Sequence, residues 1–182
     1  MFDLKPSKIA GCFELQPKTF EDARGRFVKV FHEQAFAALG LETVFAEEYY
    51  SISHKNVVRG LHFQLPPFDH VKMVYCVQGE VLDAVVDLRV GSTTYGQYAL
   101  FELGAARANS IYIPSGLAHG FCVLSEQAIM IYKVSTIYSP AHDAGVLWNS
   151  AGIPWPTSEV IVSGRDTGFP TLENFVSPFS YE

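Results

Sequence analysis

The chain has 182 residues, 48% of them hydrophobic and 14% aromatic, which suits one folded domain spanning 1–182 with a sizeable core and excludes a disordered segment. Its net charge of -6 excludes a general nucleic-acid or membrane-surface binder, which would carry a basic excess, but leaves room for a few cations to converge on a small anion. Cys12, Cys76 and Cys122 are scattered without CxxC spacing and read as reduced, buried thiols of a soluble cytoplasmic protein, since no apolar run approaches the roughly 18 residues of a membrane span and MFDLKPSKIAGCFEL has no signal-peptide core.

In chain order, RFVKVF and TVFAEEYYSISH alternate as strands on either side of HEQAFAALG. That stretch, near 32–40, has helical spacing, and Gly40 is placed as its C-terminal stop. HVKMVYCVQGEVLDAVVDLRVGS reads as two strands around a Gln78-Gly79 turn. YGQYALFEL, SIYIPSG, AHGFCVL and AIMIYKVSTIY follow, each bounded by Gly, Pro, Ser or Asn. From about Trp148, Pro154, Pro156, Pro170 and Pro178 predict an irregular C-terminal arm with a short helix. Many short strands at this spacing predict an all-β fold of the jelly-roll kind.

Alternation also assigns faces. Leu82, Ala84, Val86 and Leu88 share one side of their strand, and Val81, Asp83, Val85 and Asp87 the other. Two acids among valines fit a solvated face or a polar cavity inside a barrel, and pattern alone favours the solvated face. Arg59 and His62 stand three positions apart in VVRGLHFQLPP, so strict alternation sends them to opposite sides unless a bulge at Gly60 brings them together.

His62 admits three readings. A barrel metal site of the His-x-His kind lacks its second histidine, because Phe63 and Gln64 follow. Pro114-x-Gly116-x-x-His119 supplies a distant second ligand and Asp83 a third at most, so metal is disfavoured. The second reading is a core histidine satisfied by hydrogen bonds. Against it stand Arg59 nearby, Lys72 at the start of the next strand and the later Tyr132-Lys133 pair. Burying several cations together is costly unless an anion compensates, so the constellation predicts a pocket for a negatively charged ligand. A catalytic base in such a pocket is the third reading.

DARGRFVKVF, VVRGLHFQLPP, KMVYCVQGEVLDAVVDLRVGS, IYIPSGLAHGFCVLSE, YKVSTIY, WNSAGIPWP and SGRDTGFP occur in the order found in the dTDP-4-dehydrorhamnose 3,5-epimerase family. The chain resembles that family from about Phe13 to Pro170, and the motifs are specific together although none suffices alone. The resemblance implies a jelly-roll cupin, a double-stranded β-helix barrel without metal or cofactor, that forms homodimers. It implies epimerisation of a nucleotide-linked 4-keto-6-deoxyhexose, with His62 as the base and Tyr132 as the opposing acid. Asp166 would orient His62, and Lys72 would face the enolate oxygen. His119, paired with Asp83, would complete that side, which moves Asp83 from a solvated face to the barrel interior. Arg24 and Arg59 match positions that hold the diphosphate, while Phe27 and Tyr138 match aromatic positions of the substrate pocket.

The chain departs from the family at Lys29, usually Glu, and at Glu47 and Tyr49, usually Gln and Asn. It also carries Asp143 for the usual Glu and Arg165 for the usual Lys. The first three positions line the family's nucleotide pocket. A carboxamide both donates and accepts, whereas an ionised glutamate only accepts. The expectation is therefore an epimerase of a dTDP-linked sugar, inverting C3, C5 or both, with a CDP-linked sugar as the alternative because a cytosine edge offers Glu47 a donor. The rival from another class is a non-catalytic or keto-isomerase sugar-nucleotide binder on the same fold. Retention of both His62 and Tyr132 favours the enzyme.

Overall fold

Runs rich in Val, Ile, Tyr and Phe, punctuated by Gly and Pro, become thirteen strands in the computed structural model, which describes residues 2–181. In order they are β1 (Phe2–Pro6), β2 (Phe13–Pro17), β3 (Thr19–Asp22), β4 (Gly25–Val28), β5 (Glu47–His54), β6 (Val58–Gln64), β7 (Lys72–Gln78), β8 (Glu80–Asp87), β9 (Tyr98–Gly104), β10 (Ser110–Ile113), β11 (Leu117–Val123), β12 (Gln127–Val134) and β13 (Asp143–Gly145). A six-stranded sheet, β1-β2-β10-β7-β12-β5, faces a five-stranded one, β13-β6-β11-β8-β9, and β3 pairs only with β4. All the pairings between these strands are antiparallel, and isolated parallel bridges join Val57 to Ile161 and Val90 to Ser180. The inner faces meet in a core that includes Val74, Cys76, Ile111 and Met130 from one sheet and Val81, Val85, Leu103 and Phe121 from the other. The fold is the all-β jelly roll of the cupin type.

The Gln78-Gly79 turn does not make a hairpin. It carries the chain from the six-stranded sheet into the five-stranded one, so β7 and β8 lie in different layers. Gly79 has φ +79, and a Cβ there would lie 2.1 Å from the Gln127 carbonyl oxygen. Turn residues specify a change of direction, not the strand that will be the partner.

The helical stretch forms α1 (Glu33–Ala38), capped by the His32 ring, with Gly40 at φ +70 just beyond its end. Phe36 is its buried anchor and packs with Phe2, Leu15, Met73 and Tyr75 on the outer face of the six-stranded sheet. The expected strand RFVKVF is shorter than its pattern, and only its first part belongs to β4, in an exposed two-stranded hairpin. TVFAEEYYSISH is strand only from Glu47 onward.

Both faces of β8 are buried, which corrects the solvated face that pattern alone favoured. Asp83 lies inside with Val81 and Val85, and Asp87 is buried where Arg89, Ser92 and Thr94 bond its carboxylate. Ala84, Val86 and Leu88 face outward but are roofed by the C-terminal arm through Ile153, Trp155, Leu172, Phe175 and Phe179. The arm includes the short helix α2 (Gly164–Thr167) and a 3-10 turn at Leu172–Asn174. Among the described residues no helix is long and apolar enough to cross a membrane.

Phe179, 5% exposed, packs edge-on against Phe63 at 5.6 Å between ring centroids. Phe179→Ala is expected to lower stability by about 3 kcal/mol, read as a fall in thermal midpoint. An unchanged midpoint would mean the arm contributes little to holding the sheet.

Candidate active site

Between β6 and β11 the register runs from His119 opposite His62 to Phe121 opposite Arg59. Three steps on β6 therefore match two on β11, and β6 carries the extra residue of a β-bulge. Gly60 sits in that bulge with φ +139, and a Cβ on it would lie 2.6 Å from the Gly120 Cα. Only glycine fits both the conformation and the space. The bulge sets strict alternation aside, and Arg59 and His62 line the same cavity of about 400 Å³.

His62 stands half-buried with Nε2 2.8 Å from Asp166 Oδ1. The other carboxylate oxygen of Asp166 accepts the Gly60 N–H at 3.1 Å, and the Ser163 hydroxyl caps α2 by accepting the Asp166 N–H. Burial alone would raise the Asp166 carboxyl, but the hydrogen bond and charge of His62 and the Gly60 N–H hold it below its usual value. Donation of Nε2–H to this carboxylate leaves Nδ1 as the basic nitrogen of His62.

A buried group of three stands beside it. His119 Nε2 lies 2.8 Å from Asp83 Oδ2, Asp83 is fully buried, and Lys72 is 8% exposed. Burial pushes Asp83 up and His119 down, so the low-dielectric interior drives both toward their neutral forms. Burial also lowers Lys72 to about 8, partly opposed by the charges of Asp83 and Asp143. An ammonium held in this low-dielectric wall offers strong stabilisation to a negative oxygen brought into the cavity.

Tyr132 lines the cavity from β12, in the opposite sheet from His62. Its hydroxyl is 2.9 Å from Ser51 Oγ, and its ring lies 4.9 Å from that of Tyr49 at an interplanar angle of 16°. Burial raises the phenol well above its ordinary value, so it holds its proton at every working pH.

Glu47, Tyr138, Asp143 and Arg165 are tied together at the cavity wall. Glu47 Oε1 accepts the Tyr138 N–H at 2.9 Å, while Asp143 Oδ2 accepts from the Tyr138 hydroxyl at 3.1 Å and from Arg165 Nη2 at 2.6 Å. Arg59 Nε donates to Ser53 Oγ at 2.9 Å. Asp83 and Asp166 do not line the cavity themselves but stand behind His119 and His62.

Arg24, Phe27 and Lys29 are not brought to the cavity within one chain. They lie on or beside the exposed β3–β4 hairpin, where Arg24 pairs with Asp22 at 2.6 Å and Phe27 is 60% exposed. That hairpin pairs with neither large sheet, so nothing in the chain carries it inward. Ser51, Gln64 and His70 line the cavity without having been singled out as site residues. Alternation from Tyr49 and from His62 carries the signal for the first two, since each stands two residues on along the same strand face. Gln64 joins the loops by donating to the Phe68 and Ile137 carbonyls and accepting from the Ser139 N–H. Burial and then the Lys72 charge hold His70 down to about 3, which keeps it neutral.

Comparison with known proteins gives consistent relatives. The profile of the dTDP-4-dehydrorhamnose 3,5-epimerase family matches residues 6–174. The dTDP-4-dehydrorhamnose 3,5-epimerase of Shigella flexneri is 42% identical over 163 residues, 88% of this chain and 90% of that protein. The dTDP-4-dehydrorhamnose 3-epimerase of Streptomyces niveus is 40% identical over 166 residues, 90% of this chain and 80% of that one. The crystal structure of dTDP-6-deoxy-D-glucose-3,5-epimerase from Legionella pneumophila, in complex with dTDP-4-keto-L-rhamnose, superposes with a TM-score of 0.95 at 32% identity and covers 100% of both chains.

Titration of Lys72, followed by NMR of isotopically labelled lysine, should show an ammonium below and a free amine above a midpoint near 8, and Lys72→Met should remove that signal. A midpoint above about 10 would mean that water reaches the ammonium freely.

Proposed function

The chain belongs to the dTDP-4-dehydrorhamnose 3,5-epimerase family, and on that premise we propose how its own residues invert a dTDP-linked 4-keto-6-deoxyhexose. The protein is an isomerase of nucleotide-linked 4-keto-6-deoxy sugars, in deoxysugar biosynthesis. The observation that carries the residue roles is the placement of a base and an acid on opposite walls: His62 on the five-stranded sheet and Tyr132 on the six-stranded one.

The 4-keto group acidifies the hydrogens at C3 and C5. His62 Nδ1 removes one of them, and Asp166 steadies the imidazolium that results. The electron pair moves onto the C4 oxygen, which the Lys72 ammonium stabilises as an enolate, with His119 and Asp83 completing that wall. Tyr132 returns a proton to the carbon from the other face, and the centre is inverted. Arg59 holds the diphosphate, and Tyr138 closes over the sugar. Tyr49, Glu47, Asp143 and Arg165 bound the nucleotide end. Family membership favours thymidine over the cytosine alternative.

A homodimer reconciles the exposed hairpin with a substrate-binding role for Arg24, Phe27 and Lys29, because the hairpin of one copy then reaches the cavity of the other. In support, Tyr50, Ile52 and Val77 are 67%, 48% and 45% exposed, an apolar outer face of the six-stranded sheet that a second copy would cover. Buried thiols and a nucleotide-sugar substrate fit a cytoplasmic location.

Incubation of dTDP-4-keto-6-deoxyglucose in deuterated water should label C3, C5 or both, faster than the CDP counterpart. His62→Ala and Tyr132→Phe should each slow labelling or inversion by about 10²–10⁴-fold while dTDP still binds. Full labelling by His62→Ala would remove it as the base. Mixing inactive Arg24→Ala with inactive His62→Ala should restore up to about a quarter of the sites if the hairpin serves the partner copy. No restoration would place Arg24 outside the shared site.

A further inference from the structure

An acid and a base on opposite walls leave the enzyme changed after each inversion. His62 has gained a proton from carbon, and Tyr132 has given one to carbon. Before the next inversion the imidazolium must lose its proton and the phenolate must regain one. Burial makes that phenolate unfavourable, so the way back to solvent for its proton matters.

The surroundings of Tyr132 restrict that way. The residue is 7% exposed, its ring is covered by the parallel ring of Tyr49, and His119 stands edge-on to it at 6.3 Å. Its hydroxyl has one hydrogen-bonding partner among the described residues, the Ser51 hydroxyl at 2.9 Å. Pairing of β12 with β5 sets Tyr132 opposite Tyr49, so alternation lines up Tyr49, Ser51 and Ser53 on the inner side. Ser51 is half-buried on the cavity wall, and β5 is the edge strand of its sheet. Ser53 in turn holds the exposed Arg59. Ser51 and Tyr132 therefore share one cavity wall, and the serine hydroxyl is bonded to the phenol at the place where solvent enters.

We propose that Ser51 is the relay that returns a proton to Tyr132 after each inversion. The phenolate oxygen takes the Ser51 hydroxyl hydrogen while Ser51 Oγ takes a proton from a solvent water. The hydroxide left behind is neutralised by the proton that the His62 imidazolium releases to solvent. Protons balance, and no oxidant or further reactant is needed. The relay rests on Tyr132 as the acid and adds to that role a step that follows the chemistry.

Comparison of the first inversion with steady-state turnover tests it. With enzyme in excess, Tyr132 starts protonated for the first inversion, so Ser51→Ala should keep the rate of that first inversion within about twofold of wild type, while its steady-state kcat falls about tenfold. Ser51→Thr, which keeps the hydroxyl, should restore kcat. Equal losses in both rates would overturn the relay and leave Ser51 as a group that only positions the phenol. An unchanged kcat in Ser51→Ala would overturn it as well. Tyr132→Phe, measured alongside, separates the two ideas: full turnover there would remove the acid itself and the relay with it.

Discussion

Two glycines in contact, Gly60 on β6 and Gly120 on β11, set the geometry on which the cavity depends. Neither has room for a side chain against the other: a Cβ on Gly60 would come within 2.6 Å of the Gly120 Cα, and one on Gly120 within 2.7 Å of the Arg59 carbonyl oxygen. That approach lets β6 carry an extra residue, and the extra residue turns Arg59 and His62 to the same side. It also aims the Gly60 N–H at Asp166, so the same small segment that turns the histidine inward helps fasten the carboxylate that orients it. A backbone contact thus does what no side chain at this position could do.

The second organising feature is the barrel interior as a solvent. Asp83, His119 and Lys72 are taken out of water together, and their charges are costly there. In water, a lysine and an enolate oxygen would be screened and already hydrated. In the mechanism proposed above, the developing negative charge meets a Lys72 ammonium that is already in place inside the barrel. The two-layer architecture supplies the stereochemistry that the proposed mechanism needs: each sheet contributes one of the two groups assigned to opposite faces of the sugar ring.

Much of this was legible in the sequence, and the gaps have physical reasons. Alternation gives the strands because the side chains of a pleat have a period of two. It misplaces Asp83 because a polar residue on an apolar strand looks alike whether it faces water or a polar cavity, and because the arm that buries the other face lies far along the chain. The bulge was suggested by a glycine between two polar residues that strict alternation would separate. Gln78-Gly79 marks a turn, but not that the next strand crosses to the other layer. Arg24, Phe27 and Lys29 carry a family pattern, yet a pattern does not say whether the chain's own sheets bring a residue to the cavity. Ser51 was hidden because a serine in a strand is unremarkable until its hydroxyl is found against a buried phenol.

His62 and Asp166 are 104 positions apart, and Asp166 arrives on a helix of four residues within an arm held by aromatic packing against the outer face of the five-stranded sheet. The barrel, its lysine and its phenol are built by strands that do not need the arm for their pairing. Assembly of the barrel and assembly of the dyad are therefore separable events, joined by a long loop closure. A molecule whose arm had not docked would keep its strand pairings but leave the histidine unsteered. Two preparations with the same strand content can then differ in the fraction of sites that work, and a count of active sites reports on the arm more sensitively than spectra of the fold.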